Sequence, residues 1–422
     1  MPTTQSKWLD IGATLMVGLF VAYIDRTNLS VGIQAVAKDL GFAGDAFAVT
    51  ASWALTIFLI GYAFANVLGG FLTSRLDPKV VVTVMFAIWS IATLIAGFTN
   101  SLVVLLACRC ILGVAEGIYW PQQSRFVHAW FAEGERTKAN ALIQYYGQYL
   151  ALALGYMILL PIFNAFGWRV LFYITGGIGL VAIVPLYLAK LRPATEAPHQ
   201  PDRNAAPKSV YSLAAFGGPA FFFLLITYFT QAMMFWGITL WIPLTTKSLG
   251  FEGFSQALAT AAPYVAAVLF AIPIARISDR TGKRILIATL GLLIPGVMMM
   301  ALPFVDSAIA KLALITVGLG YYAASFTPNI WTILQANVAP EAVGPASGVM
   351  NGLGAGGGGT IAGFLVGMLK ARTGDYTVGF IVLGALVFVG GLSLIVYGRL
   401  TSGKAKQEAA SWTRTTNAVS GR

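Results

Sequence analysis

The stretch LRPATEAPHQPDRNAAPKSVYSL, residues 191–213, stands out as polar, charged and proline-rich. The chain as a whole is 57% hydrophobic and only 10% charged, with a mean hydropathy of +0.76. Soluble domains carry about 25% charged residues, so the sequence on either side of this stretch cannot supply a water-facing surface. We interpret residues 190–213 as a solvated linker between two membrane-embedded halves.

Apolar runs of roughly 20 residues recur on both sides of the linker, and a helix of that length crosses the hydrocarbon core of a bilayer. The first run has no small-residue cleavage site after it, so we interpret it as a retained helix and not as a signal peptide. The sequence therefore predicts an all-α membrane protein with twelve transmembrane helices. The predicted spans are 9–36, 47–73, 79–98, 101–124, 139–164, 168–189, 214–246, 254–275, 285–304, 308–336, 344–369 and 376–399.

The spans divide the chain into four segments. We expect a six-helix bundle over residues 1–189, a cytosolic linker over 190–213, a second six-helix bundle over 214–400 and a cytosolic tail over 401–422. The tail is polar, and its composition favours disorder.

The net charge of +11 follows the membrane topology. When both termini are placed in the cytoplasm, most Lys and Arg residues fall on the cytoplasmic side, as the positive-inside rule requires. The basic loops are thus orientation signals, and the partner that they indicate is a lipid bilayer and not a nucleic acid. We expect an integral protein of a bacterial inner membrane that works as a monomer.

The two halves repeat each other. GGFLTSRLDPK (69–79) follows the second span and ARISDRTGKR (275–284) follows the eighth, and a shift of 205 residues aligns Ser74 with Asp279, Arg75 with Arg280 and Lys79 with Arg284. Paired six-helix halves with a substrate site between them are a common transporter plan. The fold prediction is therefore two pseudo-symmetric bundles.

Four motifs carry a resemblance to a known family. ISDRTGKR (277–284) resembles the cytoplasmic loop motif of the major facilitator superfamily, and YIDRTNLS (23–30), RCILGVAEGIYWP (109–121) and WFAEGERTKA (130–139) together resemble its anion:cation symporters, which include sugar-acid carriers. The first-half loop departs from the motif, with Ser74 at the usual acid. The resemblance assigns a gating role at the cytoplasmic side to Arg75, Asp279, Arg280 and Arg284. Residues 130–139 are either a solvated loop or a latch between the halves.

Asp25, Arg26, Arg109 and Glu116 lie well inside predicted spans. Each costs about 2.5–3.5 kcal/mol at a helix centre, so each must pair or face water. Arg109 and Glu116 are two helical turns apart and share a face, whereas the adjacent Asp25 and Arg26 diverge by about 100°. Our hypothesis is that Arg26 faces a central cavity while Asp25 turns toward Arg109. The alternative is an ion-pair lock between the first and fourth spans.

These four charges suit the transport of an anion with protons. A guanidinium matches a carboxylate through two parallel hydrogen bonds, and a buried acid that loses its cationic partner takes up a proton. The resemblance likewise assigns proton coupling to Asp25 and Glu116, and substrate binding to Arg26 and Arg109.

Neutral contacts are expected from residues that the resemblance places in the substrate site. Amides and a phenol suit substrate hydroxyls, which favours a sugar acid, although each of these side chains could instead serve interhelical hydrogen bonding or packing. The candidates are Tyr62, Asn66, Gln148, Trp331 and Asn351, with Gln144 and Tyr145 as weaker ones.

The sequence offers no enzyme chemistry. The predicted spans hold no His, Ser–Lys or metal-ligand constellation, and the two cysteines, Cys108 and Cys110, flank Arg109 as packing residues. GLGAGG (352–357) fits a dinucleotide fingerprint but lies inside a span, where glycines allow close helix packing. His128 and His199 are expected in solvated loops. We expect no metal and no cofactor other than the proton as coupling ion.

The sequence thus predicts a proton-coupled symporter that imports a small organic carboxylate by alternating access. Two alternatives stay open: uptake of an aromatic acid or a dicarboxylate, and an anion exchanger or exporter without proton coupling.

Overall fold

The computed structural model describes residues 7–42, 47–199 and 212–420. Within these ranges the chain is helical and has no strand. Twelve helical rods follow one another there: α1 (Trp8–Ala13, Thr14–Asp39), α2 (Phe47–Leu72), α3 (Pro78–Phe98), α4 (Leu102–Trp130), α5 (Arg136–Asn140, Ala141–Tyr146, Gly147–Phe166), α6 (Trp168–Ile178, Gly179–Ile183, Val184–Lys190), α7 (Phe221–Ser248), α8 (Gly253–Thr281), α9 (Arg284–Met300), α10 (Ala308–Ser325, Thr327–Asn337), α11 (Val343–Asn351, Gly352–Gly358, Gly359–Thr373) and α12 (Thr377–Ser420).

Short turns between the rods are set by local chemistry. Asp77 caps α3, since its side chain accepts a hydrogen bond of 2.8 Å from the backbone N–H of Lys79, and Pro78 occupies the first helical position. α8 ends at Gly282, whose φ of +67° is the left-handed conformation that glycine adopts without strain. In both halves, the loop that the 205-residue shift aligns thus separates two consecutive helices.

Most of the rods are long and apolar enough to cross a membrane. In the described chain, eight helices meet that test by length and composition, and the pair Glu133–Gly155 and Met157–Phe166, bent by 46°, would make a ninth. Ile57–Leu72 of α2 and Arg284–Met300 of α9 are shorter apolar helices. The order of the rods agrees with the twelve predicted spans.

Small residues let the rods approach closely within each half. A Cβ atom on Gly113 of α4 would lie 2.2 Å from the backbone oxygen of Phe58 in α2. In the second half, a Cβ on Gly384 of α12 would lie 2.8 Å from the backbone oxygen of Gly296 in α9. Close backbone approach of this kind is how helices associate in a bilayer, where apolar lipid removes the hydrophobic driving force between them.

The two halves are in contact on the side of the molecule that carries the linker. We call this side the linker face, and it comprises residues 73–77, 131–135, 191–199, 282–283 and 338–342. Here α2 crosses α11, and a Cβ on Gly348 would lie 2.1 Å from the backbone oxygen of Asn66. The packing of α2 against α11 therefore closes the molecule at its linker face.

The first part of the linker packs on the first half. The backbone N–H of Ala194 donates to Asp77 Oδ2 at 2.8 Å, and that of His199 donates to the carbonyl of Ala129 at 3.1 Å. Partial burial and the nearby Arg136 and Lys7 lower the pKa of His199. The expected solvated linker is thus docked as far as His199, while residues 200–211 lie outside the described residues.

The last rod is longer than expected. α12 continues as a helix to Ser420, through a stretch whose composition predicts a disordered tail. The run Lys-Ala-Lys-Gln-Glu-Ala-Ala (404–410) consists of residues with good helix propensity, which accounts for a helical backbone there.

Candidate functional site

A small cavity lies between the halves. Both halves line it, with α1, α2, α4 and α5 on one side and α7, α10 and α11 on the other. Nine of its fourteen lining residues are aromatic and none is charged; they are Tyr23, Tyr62, Trp120, Tyr145, Gln148, Tyr149, Tyr228, Gln231, Ala232, Phe235, Trp236, Tyr322, Asn351 and Ala355. Among the described residues no group of three or more His, Cys, Asp or Glu could hold a metal ion.

Arg26 and Glu116 form a buried ion pair at the edge of this cavity. Arg26 Nε donates to Glu116 Oε2 at 2.5 Å, and Nη2 contacts the same oxygen. The side chains are 10% and 2% exposed. The guanidinium carbon lies 4.3 Å from the ring centroid of Tyr23 and 5.2 Å from that of Tyr62, and both rings line the cavity. Arg26 is itself outside the cavity lining; it lies against two rings that belong to the lining, and its ion pair with Glu116 joins α1 to α4.

Asp25 points away from the cavity, toward α3 and α6. Its carboxylate accepts hydrogen bonds from Asn28 Nδ2 at 2.7 Å and from Thr93 Oγ1 at 2.9 Å. Asn28 Nδ2 also contacts Thr175 Oγ1 of α6 at 3.1 Å. The sequence predicts that Asp25 turns toward Arg109; the two groups interact electrostatically, but the described chain has no ion pair between them. The direction of α1 at this point places Asp25 against the neutral side chains of α3 and α6.

Arg109 is not among the residues that line the cavity, and it lies behind the nine aromatic lining residues, which we call the aromatic wall. It is 3% exposed, and its guanidinium carbon is 5.0 Å from the ring centroid of Phe58, which also lies 5.4 Å from the guanidinium carbon of Arg26. Its Nε and Nη1 have no hydrogen-bond partner within residues 7–42, 47–199 and 212–420. A cation over an aromatic face gains about 2 kcal/mol or more when desolvated, which offsets a large part of the roughly 2.5–3.5 kcal/mol cost of an arginine at the centre of a membrane helix.

Asn351 of α11 forms hydrogen bonds with residues of both halves. Its Nδ2 donates to Tyr62 Oη at 2.7 Å and to Asn66 Oδ1 at 2.9 Å, and its Oδ1 accepts from Tyr228 Oη at 3.1 Å. Tyr62 and Asn351 line the cavity as predicted, whereas Asn66 is fully buried and lies outside the lining. Asn66 therefore holds Asn351 in position in this conformation.

The other predicted neutral contacts also divide into residues that line the cavity and residues that do not. Gln148 lines the cavity, and its Oε1 has no hydrogen-bond partner in the described structure. Trp331 is fully buried and outside the lining; its indole N–H donates to the hydroxyl of Tyr145, which does line the cavity. Of the weaker candidates, Gln144 is also buried, and its amide donates to Asn140 Oδ1 at 2.6 Å.

Sequence reasoning missed most of the aromatic wall. The repeat held part of the signal, because the 205-residue shift places Tyr23 on Tyr228 and Arg26 on Gln231, and both Tyr228 and Gln231 line the cavity. Trp120, one turn after Glu116 on α4, gave no such signal.

At the linker face, two of the four predicted gating residues connect the halves. Asp279 accepts from the backbone N–H groups of Thr137 (3.2 Å) and Lys138 (2.9 Å) at the start of α5. Arg284 donates to Glu133 Oε1 at 3.0 Å and to its backbone oxygen at 2.7 Å. We call Asp279, Arg284, Glu133 and the first turn of α5 the latch.

The equivalent loop of the first half is built differently. Ser74, which replaces the acid, donates its hydroxyl to the carbonyl of Phe71 at 2.7 Å. Arg125 of α4 supports this loop by donating to the carbonyls of Thr73, Ser74 and Leu76 at 2.9–3.0 Å. Arg75 and Arg280 are exposed. The latch is therefore formed by the second-half loop.

Helices long enough to span a bilayer, arranged in two repeated halves around a shared cavity, are the plan of a secondary transporter. The family model of the Major Facilitator Superfamily matches residues 15–363, and the chain belongs to that superfamily. This confirms the predicted all-α fold with twelve helices and the prediction that the protein is not an enzyme.

Its relatives agree with the resemblance to anion:cation symporters. The chain is 28% identical over 417 residues to a probable sulfoacetate transporter of Cupriavidus necator, covering 94% of this chain and 95% of that one. It is 24% identical over 418 residues to the D-galactonate transporter of Escherichia coli, covering 90% and 93%. The crystal structure of the human organic anion transporter MFSD10 shares the fold, with a TM-score of 0.74, 14% identity and coverage of 93% and 100%.

Proposed function

We propose that this protein is a proton-coupled symporter that imports a small organic carboxylate, with a sugar acid favoured, by alternating access. The observation that carries the proposal is the buried Arg26–Glu116 ion pair at the edge of a cavity shared by both halves. Sulfoacetate and D-galactonate, which the relatives' names give as their substrates, both bear a carboxylate.

Substrate and proton would bind together because the substrate competes with Glu116 for Arg26, and the displaced Glu116 then binds the proton. A substrate carboxylate that binds the Arg26 guanidinium through two hydrogen bonds displaces Glu116 from it. A bare carboxylate buried at 2% exposure is costly, so Glu116 then takes up a proton. Release of the substrate would restore the ion pair and expel the proton.

Asp25 is the second proposed proton site. Its carboxylate is 2% exposed and its hydrogen bonds come from neutral donors. Transport of a monoanion with one proton is electroneutral, whereas a second proton adds about 2.3 kcal/mol per 100 mV of membrane potential. Two acids permit either stoichiometry.

Alternating access would arise from rocking of the two halves about the cavity. The latch and the Asn351 contacts hold the linker face closed in this conformation. We place the linker face and both termini in the cytoplasm of a bacterial cell on the distribution of Lys and Arg, with the protein in the inner membrane as a monomer.

Uptake into proteoliposomes under an imposed pH gradient tests the proposal. One pH unit supplies about 1.4 kcal/mol per proton. The parent should therefore accumulate substrate about tenfold for each pH unit of the gradient and each coupled proton. Glu116→Gln should lose this accumulation and keep counterflow exchange, because the amide cannot release a proton. Equal accumulation by Glu116→Gln and the parent would remove Glu116 from coupling, and counterflow without proton uptake in the parent would favour an exchanger.

A further inference from the structure

A cluster of four buried polar side chains joins the two halves between the cavity and the latch. Asn140 and Gln144 lie on α5, Thr332 and Gln335 lie on α10, and each side chain is at most 1% exposed. Along α5 the cluster follows the first turn, which belongs to the latch, and precedes Gln148 of the cavity lining. We call these four residues the amide seal.

Asn140 is the centre of the seal. Its Nδ2 donates to Gln335 Oε1 at 3.1 Å and to Thr332 Oγ1 at 3.0 Å. Its Oδ1 accepts from Gln335 Nε2 at 3.2 Å and from Gln144 Nε2 at 2.6 Å. Asn140 and Gln335 thus exchange two hydrogen bonds across the boundary between the halves, and neither residue lines the cavity.

The seal must separate whenever the linker face opens. Amide groups that bind each other in the closed state bind water in the open state, so each such hydrogen bond favours closure only about two- to tenfold. Apolar side chains in the same places would favour the closed state more strongly, because opening would expose them to water. A seal made of amides therefore closes the path from the cavity to the linker face and still opens readily.

We propose that Asn140 and Gln335 form an inner gate on the linker side of the cavity, and that their amide groups allow this gate to reopen. The gate is distinct from the latch, whose Glu133 is 68% exposed, so that water screens its ion pair with Arg284. Gln144, a weaker candidate for the substrate site, belongs to this gate. The inference rests on the alternating access of the proposed function, but it requires neither a proton nor a particular substrate.

Removal of the central amide should open the gate. Asn140→Leu keeps a branched side chain, and in the closed state it leaves both amide atoms of Gln335 and Nε2 of Gln144 buried without their partner. Spin labels attached at Leu76 and Arg280, which are exposed and lie in opposite halves, report the distance across the linker face by double electron–electron resonance. In the purified full-length protein without substrate, the population at longer distance should grow about two- to tenfold over that of the parent. Asn140→Ala leaves the same atoms unpaired and takes its place if the leucine variant does not fold.

An apolar seal should shift the same equilibrium in the other direction. Asn140→Leu combined with Gln144→Met and Gln335→Met replaces both sides of the amide hydrogen bonds by apolar groups of similar shape, so no amide of the seal is left unsatisfied. Apolar burial then favours the closed state, and the population at longer distance should fall at least about twofold below that of the parent. The opposite directions of the single and triple variants distinguish a gate made of amides from side chains that only fill space.

Gln256→Met is the matched control. Gln256 of α8 donates its amide to the carbonyl of Pro243 in α7 at 2.8 Å, so this variant also removes a hydrogen bond between helices, but within the second half. Its distance distribution should coincide with that of the parent.

The outcomes separate this inference from the proposed function. The gate is overturned if Asn140→Leu gives the distribution of the parent, or if Gln256→Met opens the linker face as much as Asn140→Leu does. A triple variant that is as open as the parent, or more so, overturns the role of the amides. These results leave carboxylate transport in proteoliposomes standing, whereas a protein that shows the expected distances but transports no carboxylate supports the gate and overturns the proposed function.

Discussion

Arg26 combines two contacts that a lysine could not reproduce together. Its guanidinium engages Glu116 through Nε and Nη2 while its flat face stacks on Tyr23 and Tyr62. An ammonium group is a compact point charge. It lacks the paired N–H donors of a guanidinium and the flat surface that packs on aromatic rings. The identity of the residue, and not only its charge, therefore matters at this position.

Arg26→Lys is expected to weaken binding of the transported carboxylate at least about tenfold, since one of two parallel charge-assisted hydrogen bonds is lost. Calorimetric titration of the purified protein measures this directly. Arg75→Lys serves as the control, because Arg75 is exposed on the linker face, and it should bind as the parent does. Equal affinities for the two variants would show that Arg26 does not hold the substrate.

The intramembrane charges could be predicted from the sequence, but their pairing could not. The energetic cost of Asp25, Arg26, Arg109 and Glu116 in a bilayer makes each of them conspicuous in an apolar span. Their partners depend on which helix faces each side chain, and Thr93 and Thr175, which stand beside Asp25, are unremarkable residues of α3 and α6. Trp120 was missed for a similar reason, because one more aromatic residue in a membrane helix carries no distinguishing pattern.

At the scale of elements, glycines set the distance between helices. Gly113 places the backbone of α4 against that of α2, the helix that bears Tyr62 and Asn66. This contact sets the distance between α2 and α4, each of which contributes a ring to the cavity lining. The positions of the cavity residues thus depend on residues that never reach the cavity.

Gly113→Ala is expected to destabilise the protein by about 1–3 kcal/mol, because its Cβ would meet the backbone oxygen of Phe58 at 2.2 Å and backbone cannot move aside cheaply. The measurement is the melting temperature in detergent. Gly177→Ala is the matched control, since a Cβ there has no heavy atom within 4 Å. A melting temperature for Gly113→Ala equal to that of Gly177→Ala would contradict the packing argument.

Most helix boundaries could be predicted to within a few residues, apart from the start of α7 and the end of α12, but internal irregularities could not. The run of glycines in α11 indicated close packing, and a Cβ on Gly356 would indeed lie 2.4 Å from the Cβ of Ala63 in α2. That residues 352–358 also form a wider, π-helical turn is set by the packing of α11 between α2 and α7, which no local pattern encodes.

At the scale of the whole molecule, the two repeated loops contribute unequally to closure. The second-half loop places Asp279 on the first turn of α5, where backbone N–H groups and the helix dipole favour a negative charge. The first-half loop has Ser74 at that position and turns inward to Phe71. Of the two aligned loop positions, only that of the second half therefore carries an acid that binds the N-terminus of a helix in the other half.

Asp279→Asn is expected to open the linker face, because a neutral amide is held less strongly than a carboxylate by the N-terminus of α5; the loss is about 0.3–1 kcal/mol. Spin labels at Leu76 and Arg280 report the distance across this face by double electron–electron resonance. Both positions are exposed, and they lie in opposite halves. The population at longer distance should grow about two- to fivefold.

The matched control for the latch is Asp306→Asn, which removes a carboxylate from an exposed position outside the latch. Its distance distribution should coincide with that of the parent. A distribution for Asp279→Asn that also coincides with the parent would show that Asp279 does not contribute to closure.

The ion pair between Arg26 and Glu116 has a consequence for the empty carrier. Together the two groups carry no net charge, so moving them as a unit across part of the membrane field does no electrical work. If the protein resets with this pair intact, the pair makes that half of the cycle insensitive to voltage. With a monoanion on Arg26 and a proton on Glu116 these groups again sum to zero, so voltage sensitivity of the loaded half-cycle would require a second proton, such as one on Asp25.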